Sequence, residues 1–121
     1  LVTGYADPSI WDGSRGESIA DQMQREGVYF LPAENARLAG LMQVHRRLEF
    51  DAEGRSGVQV FSTCRDSIRT LPALSYDAQR CEDVDTQGED HIYDEWRYLF
   101  MAHPLPEAPK PAPRRRYSPL D

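Results

Sequence analysis

The segment from Glu82 to Glu95 combines carboxylates and a histidine at spacings that suit a helix. Asp90 and Asp94 are four positions apart, and His91 and Asp94 are three apart, so either pair can face a common point from one side of a helix. Adjacent carboxylates repel each other unless a cation lies between them, and Mg²⁺ and Mn²⁺ prefer oxygen ligands. The spacing predicts a divalent-metal site, with a solvated acidic face at a helix N-terminus as the alternative.

The same segment must also dock against the rest of the chain. At about 100° per residue, apolar side chains fall on one arc of the helix and polar side chains on the opposite arc. The apolar arc comprises Ile92, Tyr93, Trp96, Leu99 and Phe100, and the polar arc comprises Asp90, His91, Asp94, Arg97 and Tyr98. We therefore expect the apolar arc to pack against the body and the polar arc to present oxygen and nitrogen ligands.

The residues before this segment alternate between strand and helix signals. In chain order these signals predict a strand Val2–Ala6, a helix capped by Ser18 and ended by Gly27, a buried strand Val28–Leu31, a helix from Ala33 or Glu34 to Phe50, a strand Val58–Ser62 and a helix Arg65–Leu71. The residues predicted to face inward are Ile19 and Met23 on the first helix, and Leu38, Leu41, Met42, His45 and Leu48 on the second. The alternation indicates an α/β layer architecture.

Composition separates a body, residues 1–102, from a tail, residues 103–121. The tail holds six of the nine prolines and carries +2; since the whole chain carries −6, the body carries −8. An acidic body argues against a broad nucleic-acid-binding face, although bound metal ions can offset the carboxylates. The tail is predicted to be extended, either as a solubilising linker or with arginines that touch phosphates.

The length of 121 residues suits one domain with a modest core. Cys64 and Cys81 have neither CxxC spacing nor neighbouring histidines. They predict two reduced thiols in a cytoplasmic protein, with a single disulfide as the alternative. No apolar run approaches the roughly 20 residues that span a bilayer, and no signal peptide is visible, so a membrane location is not expected.

Four stretches of the chain, in this order, resemble the end of the large terminase subunit of tailed bacteriophages. They are YADPSIW, GVYFLPAENARLAGLMQVHRRL, VFSTCRDSIRTLPAL and EDVDTQGEDHIYDEWRY, and together they cover roughly residues 3 to 100. The resemblance implies the later portion of an RNase H-like nuclease domain, a mixed sheet with flanking helices. By this resemblance the chain is expected to be N-terminally truncated, without the opening hairpin of the sheet.

The resemblance also implies a site. Large terminases join a packaging ATPase to a nuclease that cuts concatemeric viral DNA, and the nuclease uses carboxylates that bind two Mg²⁺ or Mn²⁺ ions. Asp7 matches an aspartate at a strand end, and the last carboxylate matches Asp94 with His91, or Asp90 beside them. Candidate contacts to the backbone of double-stranded DNA are Arg37, Arg46, Arg47, Arg65 and Arg69.

Two elements of the family pattern are missing from this chain: the aspartate of the first strand and the Walker-type ATPase loop. ATP is therefore expected only in a separate N-terminal domain, and the chain alone is expected to be inactive as a nuclease. The implied partners are the portal protein, the procapsid and the small terminase subunit, in the cytoplasm of the bacterial host. Two alternatives remain: another RNase H-like nuclease or resolvase, and a non-catalytic prophage remnant or assembly module.

Overall fold

A computed structural model describes residues 4–106 as a small α/β domain. The strands are Gly4–Ala6 (β1) and Phe30–Pro32 (β2), and the helices are Ile19–Arg25 (α1), Arg37–Leu48 (α2), Arg65–Thr70 (α3) and His91–Ala102 (α4), with short 3₁₀ helices at Pro8–Trp11 and Leu71–Ala73. β1 and β2 run parallel, with Gly4 opposite Phe30 and Ala6 opposite Pro32. The predicted α/β class is confirmed, while the RNase H-like topology stays a prediction.

The connection from β1 to β2 carries α1, as a parallel strand pair requires a crossover. Ser18 begins α1 with a capping box: the backbone N–H of Asp21 donates to Ser18 Oγ at 3.1 Å, and the Asp21 carboxylate accepts from the Ser18 N–H at 3.3 Å. Gly27 lies just beyond the helix with φ of +80°, a conformation that glycine adopts without strain. Both predicted boundary signals of this helix are therefore confirmed.

The predicted buried face of α1 and the predicted burial of the second strand are wrong. Ile19 is 53% exposed and Met23 is 36% exposed, because α1 is an outer crossover helix. The strand begins at Phe30 rather than Val28, and Leu31 within it is half-exposed. A strand with one hydrogen-bonded neighbour and no covering layer leaves alternate side chains in solvent.

The predicted third strand, Val58–Ser62, does not form. This stretch has no ladder partner within residues 4–106, and Phe61 is 81% exposed. Val58 packs on the core from an irregular segment, and the Ser56 hydroxyl donates to the Val58 carbonyl. An apolar run of strand length becomes a strand only where a neighbouring strand accepts its backbone hydrogen bonds.

The core lies between α2 and α4 and includes Leu41, Val44, Val84, Tyr93 and Phe100. The helix α2 begins at Arg37, because Ala33 instead extends the β ladder by donating to the Ala6 carbonyl at 2.9 Å. Of the predicted α2 stripe only Leu41 is in the buried core, whereas Leu38, Met42 and Leu48 are about half-exposed. The buried face is centred on Gly40, Leu41, Gln43 and Val44, since Gly40 is where α4 crosses closely.

The two arcs predicted for α4 are also partly wrong. Tyr93 and Phe100 are buried as expected, but Leu99 is half-exposed, and Arg97 and Tyr98 from the polar arc are buried. The physical reason is that α4 is covered from two directions. One side of α4 packs on α2. The side that carries Tyr98, from the polar arc, contacts the end of β1.

The helix α4 ends at Ala102, and the described residues end at 106. Most of the predicted tail, from residue 107 on, therefore lies outside the described residues, as do residues 1–3 of the predicted first strand. Cys64 and Cys81 are exposed free thiols. No helix within residues 4–106 is long and apolar enough to cross a membrane.

Candidate functional site

Asp7 lies immediately after β1, where the strand turns into the 3₁₀ helix Pro8–Trp11. Its Oδ1 accepts the backbone N–H of Ser9 at 2.8 Å, and its Oδ2 accepts the hydroxyl of Tyr98. The Tyr98 hydroxyl, followed by the hydrogen bonds from Ser9 and the nearby charge of Arg97, holds the pKa of Asp7 below its usual range. Asp7 is therefore an oriented carboxylate that stays ionised.

Asp94 lies on the first turns of α4 and pairs with Arg97, three residues further on. Arg97 donates to Asp94 Oδ1 from Nη2 at 2.8 Å and from Nε at 3.3 Å. The Arg97 side chain is only 1% exposed, whereas Asp94 is partly open to solvent. The guanidinium also stacks 4.9 Å from the ring centroid of Tyr98. Arg97 is thus a buried cation beside a carboxylate that can still be reached from outside.

Gly40 of α2 makes room for Arg97. A Cβ atom at this position would collide with Cγ and Cδ of the arginine side chain. The close approach of the two helices is what buries Arg97 completely, and it explains a glycine in the middle of α2 despite its poor helix propensity.

A second ion pair lies beside the first. Arg37 at the start of α2 donates to Asp83 from Nε at 2.6 Å and from Nη2 at 3.3 Å. Asp83 is buried and also accepts the Val84 N–H at 2.7 Å. The Arg37 hydrogen bond is the main cause that keeps the pKa of Asp83 below its usual range. This pair ties the acidic loop before α4 to α2.

Two buried polar atoms in this region have no hydrogen-bond partner among the described residues: Arg97 Nη1 and the hydroxyl of Tyr93. Burial raises the pKa of Tyr93 to about 12. Burial also raises the pKa of Tyr98 to about 12, with a further contribution from its hydrogen bond to Asp7. Both phenols are therefore neutral near pH 7, and Tyr98 acts as a donor. We call Asp7, Arg37, Asp83, Asp94, Arg97 and Tyr98 the junction cluster; Tyr93 lies beside it, in the wall of an apolar concavity.

The structure brings Asp7 and Asp94 to the same pair of side chains. Tyr98 donates to Asp7 and feels the charge of Asp94, while Arg97 donates to Asp94 and lowers the pKa of Asp7 by its charge. These carboxylates come from positions 87 residues apart in the chain (94 minus 7). Both carboxylates therefore lie beside the Arg97–Tyr98 pair of α4.

The other predicted ligands lie differently. Asp90 is buried at the N-cap of α4, where its carbonyl accepts the Asp94 N–H at 2.9 Å and its side chain makes no capping hydrogen bond. His91 is exposed and lines a shallow depression near α3 with Glu89 and Arg69. The structure therefore places His91 with α3 and Asp94 with Arg97.

The predicted DNA-contacting arginines fall into two groups. Three of them make internal contacts: Arg37 to Asp83, Arg46 to the Leu105 carbonyl at 3.4 Å, and Arg47 to the His103 carbonyl and the Phe100 ring. The other two, Arg65 and Arg69, are on the exposed surface of α3. Arg69 there forms a two-pronged pair with Glu89 at 2.9 and 3.0 Å.

The donor set of the junction cluster suits a hard divalent cation of the magnesium type. Among residues 4–106, no group of three or more His, Cys, Asp or Glu side chains is arranged to hold a metal ion. Magnesium, however, is usually bound through one or two carboxylates, with waters and substrate phosphates completing the shell. Each oxygen of Asp7 keeps a lone pair beside its present hydrogen bond, and Asp94 accepts only through Oδ1 among the described contacts.

A larger concavity of about 520 Å³ lies between α2, α3 and α4. It is lined almost entirely by apolar side chains, among them Leu41, Leu48, Ile68 and Trp96. None of its lining residues is a carboxylate, so this concavity is not a candidate for the metal site.

The sequence pattern places Arg97 and Tyr98 on the polar arc of α4 without giving either a role in the site, and it does not single out Gly40. The spacing of Asp94 and Arg97 could have indicated an intrahelical ion pair, because residues three apart are neighbours on a helix. No local signal could have linked Tyr98 to Asp7, since 91 residues separate them.

Comparisons of the chain with protein-family models, with curated proteins and with solved structures found no match.

Proposed function

We propose that this chain carries part of a metal-dependent DNA endonuclease site of the large-terminase type, with Asp7 and Asp94 as its carboxylates. The observation that carries the proposal is the meeting of these two aspartates at the Arg97–Tyr98 pair. The resemblance of the ordered sequence stretches to terminase nucleases supplies the substrate class, which is double-stranded DNA.

The chemistry proposed is hydrolysis of a phosphodiester bond. Asp7 and Asp94 would hold a divalent cation, which when bound would supply an activated water and charge stabilisation for the leaving oxygen. Asp7 is suited to hold that cation because hydrogen bonds from the Ser9 N–H and the Tyr98 hydroxyl orient its two carboxylate oxygens. Asp94 is suited because it is partly exposed, and its pairing with Arg97 limits the repulsion between the two carboxylates.

Contacts to DNA are proposed to be independent of sequence and to use α3. Arg65 and Arg69 are exposed there; Arg69 would exchange its surface pair with Glu89 for a phosphate, which costs little because the pair is open to solvent. Arg37, Arg46 and Arg47 have internal partners and would have to give them up first. His91, near Arg69, is placed at the edge of this surface rather than at the carboxylates.

The wider setting follows from the resemblance alone. In it, the nuclease acts in the cytoplasm of a bacterial host during packaging of viral DNA, together with portal protein and small terminase subunit. ATP is used in a separate domain.

A non-catalytic role is the second candidate, and one observation favours it. The Asp94 carboxylate already has a buried cation, Arg97, at hydrogen-bond distance. A remnant that no longer binds metal could keep such an ion pair for stability alone.

Plasmid nicking with Mg²⁺ or Mn²⁺ tests the proposal. We expect little cutting by the 121-residue chain and robust cutting by a longer protein that contains it together with the preceding strands of the nuclease sheet. In the longer protein, Asp7→Asn and Asp94→Asn should each lower cleavage at least a hundredfold, since the metal-assisted step needs both carboxylates. Glu53→Gln, a change on an exposed loop, is the control and should leave cleavage unchanged.

Equal cleavage by the control and both aspartate variants would assign the metal-dependent activity to other residues. Robust cutting by the short chain would show that its own residues complete the site. No cutting by any form would favour the non-catalytic role.

A further inference from the structure

Two consecutive residues of α4 each hold one of the two candidate carboxylates. Arg97 donates to Asp94 from Nη2 and Nε, and Tyr98 donates to Asp7 Oδ2. The Arg97 guanidinium lies over the Tyr98 ring at 4.9 Å, so the position of each side chain restrains the other. One short segment of α4 therefore sets the orientation of groups that come from opposite ends of the body.

We propose that Tyr98 is a positioning residue for Asp7, which it orients toward a divalent cation. This inference rests on the proposed function of the site. The Tyr98 hydroxyl would not contact the cation itself; it acts through Asp7, as the hydrogen-bond partners of metal-binding carboxylates do in other proteins.

The geometry around Asp7 supports this role. The Ser9 N–H holds Oδ1 at 2.8 Å and the Tyr98 hydroxyl holds Oδ2, so both oxygens are restrained and the carboxylate cannot rotate freely. A carboxylate oxygen has two lone pairs, and each oxygen of Asp7 keeps one for a cation. Asp7 is thus restrained without being blocked.

The environment of Tyr98 fixes the hydroxyl in turn. The side chain is buried on α4, beneath the Arg97 guanidinium, which is itself held by Asp94 and by the space at Gly40. Tyr29, by contrast, is 66% exposed. Because the Asp7 side chain is already ordered by these hydrogen bonds, it loses little conformational entropy when a ligand binds. A positioning residue raises affinity by reducing this entropy loss.

The test compares Mn²⁺ binding by the whole chain and by two variants that each lack a single hydroxyl. Tyr98→Phe removes the donor to Asp7. Tyr93→Phe is the matched control: it lies on the same helix, is also buried, and loses a hydroxyl without a hydrogen-bond partner among the described residues. We expect the Kd for Mn²⁺ to rise about tenfold in Tyr98→Phe and less than twofold in Tyr93→Phe.

A second readout separates positioning from general loss of structure. At equal Mn²⁺ concentration, paramagnetic broadening at Asp7 and Asp94 in NMR spectra should weaken together in Tyr98→Phe, while the metal-free amide spectrum changes only near Asp7, at the Ser9 amide. A merely structural role for Tyr98 would change metal-free amide signals throughout the body and lower the urea midpoint of unfolding. If Tyr98→Phe does not fold, 4-fluorophenylalanine at position 98 keeps the shape of the ring without an O–H donor and allows the same comparison.

Unchanged Mn²⁺ affinity in Tyr98→Phe, with Asp7 still broadened in the unaltered chain, would overturn the positioning role and leave the proposed function standing. Absence of broadening at Asp7 in the unaltered chain would overturn the proposed function, and the positioning role with it.

Discussion

Four charged side chains of the junction cluster form two ion pairs. Asp83 is buried against Arg37, and Asp94 lies against the fully buried Arg97. Removing one partner of a buried pair leaves an uncompensated charge, which costs about 3–5 kcal/mol. At the scale of single residues, the cluster therefore contributes to stability as well as to the proposed chemistry.

The Arg37–Asp83 pair predicts a dependence of stability on acid. The pKa of Asp83 in the folded protein lies below the 3.8 of the free side chain. Its contribution is thus fully present above about pH 4 and is lost as the pH falls through the lowered pKa. We expect Asp83→Asn to lower the free energy of unfolding by about 3 kcal/mol at pH 7. On acidification, the free energy of unfolding should then fall less in Asp83→Asn than in the unaltered chain.

Urea unfolding between pH 2 and pH 7 measures both effects. Asp66→Asn on α3 is the control, because that side chain is largely exposed and its surface pair with Arg69 contributes little to stability. Parallel pH profiles for Asp83→Asn and the unaltered chain would contradict the role given to this pair.

The packing of α2 against α4 depends on a position without a side chain. Gly40 lies where the stem of Arg97 crosses, and a Cβ atom there would overlap the arginine carbons. Helix propensity alone predicts that Gly40→Ala stabilises the protein by about 1 kcal/mol. The contact predicts the opposite, because the crowded helices would have to move apart.

We therefore expect Gly40→Ala to destabilise the chain by about 2 kcal/mol in thermal or urea unfolding. Ala39→Gly, on the exposed side of the same helix, should cost about 1 kcal/mol through propensity only. A gain of stability in Gly40→Ala would mean that α4 does not approach α2 as closely as described.

The helices could be predicted from sequence because their signals are local. The Ser18 capping box, the Gly27 stop and the periodic patterns of α2 and α4 each act within a few residues. Which face of a helix is buried depends on what covers it, and this cannot be seen in the spacing. Ile19 is predicted to face inward but is exposed, whereas Arg97 is predicted to lie on the polar arc but is buried.

The candidate site, too, could be predicted from sequence only in part. The sequence indicated Asp94 through its helical spacing, and Asp7 through a family resemblance. The contact between Tyr98 and Asp7 joins residues 91 positions apart and depends on where α4 meets β1. The predicted strand Val58–Ser62 does not form for a related reason. A strand needs a neighbouring strand to pair with, and the local sequence does not show whether one will be there.

For the whole molecule, charge sets the conditions under which DNA could be bound. The body carries −8, so broad attraction to DNA is not expected without cations that offset its carboxylates. The exposed arginines of α3 offer only a local basic surface. Under the proposed function, a metal ion at Asp7 and Asp94 would supply the chemistry and would also reduce the repulsion between the acidic body and DNA.

Mn²⁺ titration of the isotope-labelled 121-residue chain, followed by paramagnetic broadening in NMR spectra, tests that claim most directly. The account predicts that the side-chain signals of Asp7 and Asp94 broaden together at the lowest Mn²⁺ concentrations, with the Ser9 amide beside them. Asp7→Asn or Asp94→Asn should each weaken broadening at the other aspartate. Broadening confined to the exposed acids Glu82 and Glu89, with Asp7 and Asp94 unaffected, would contradict it.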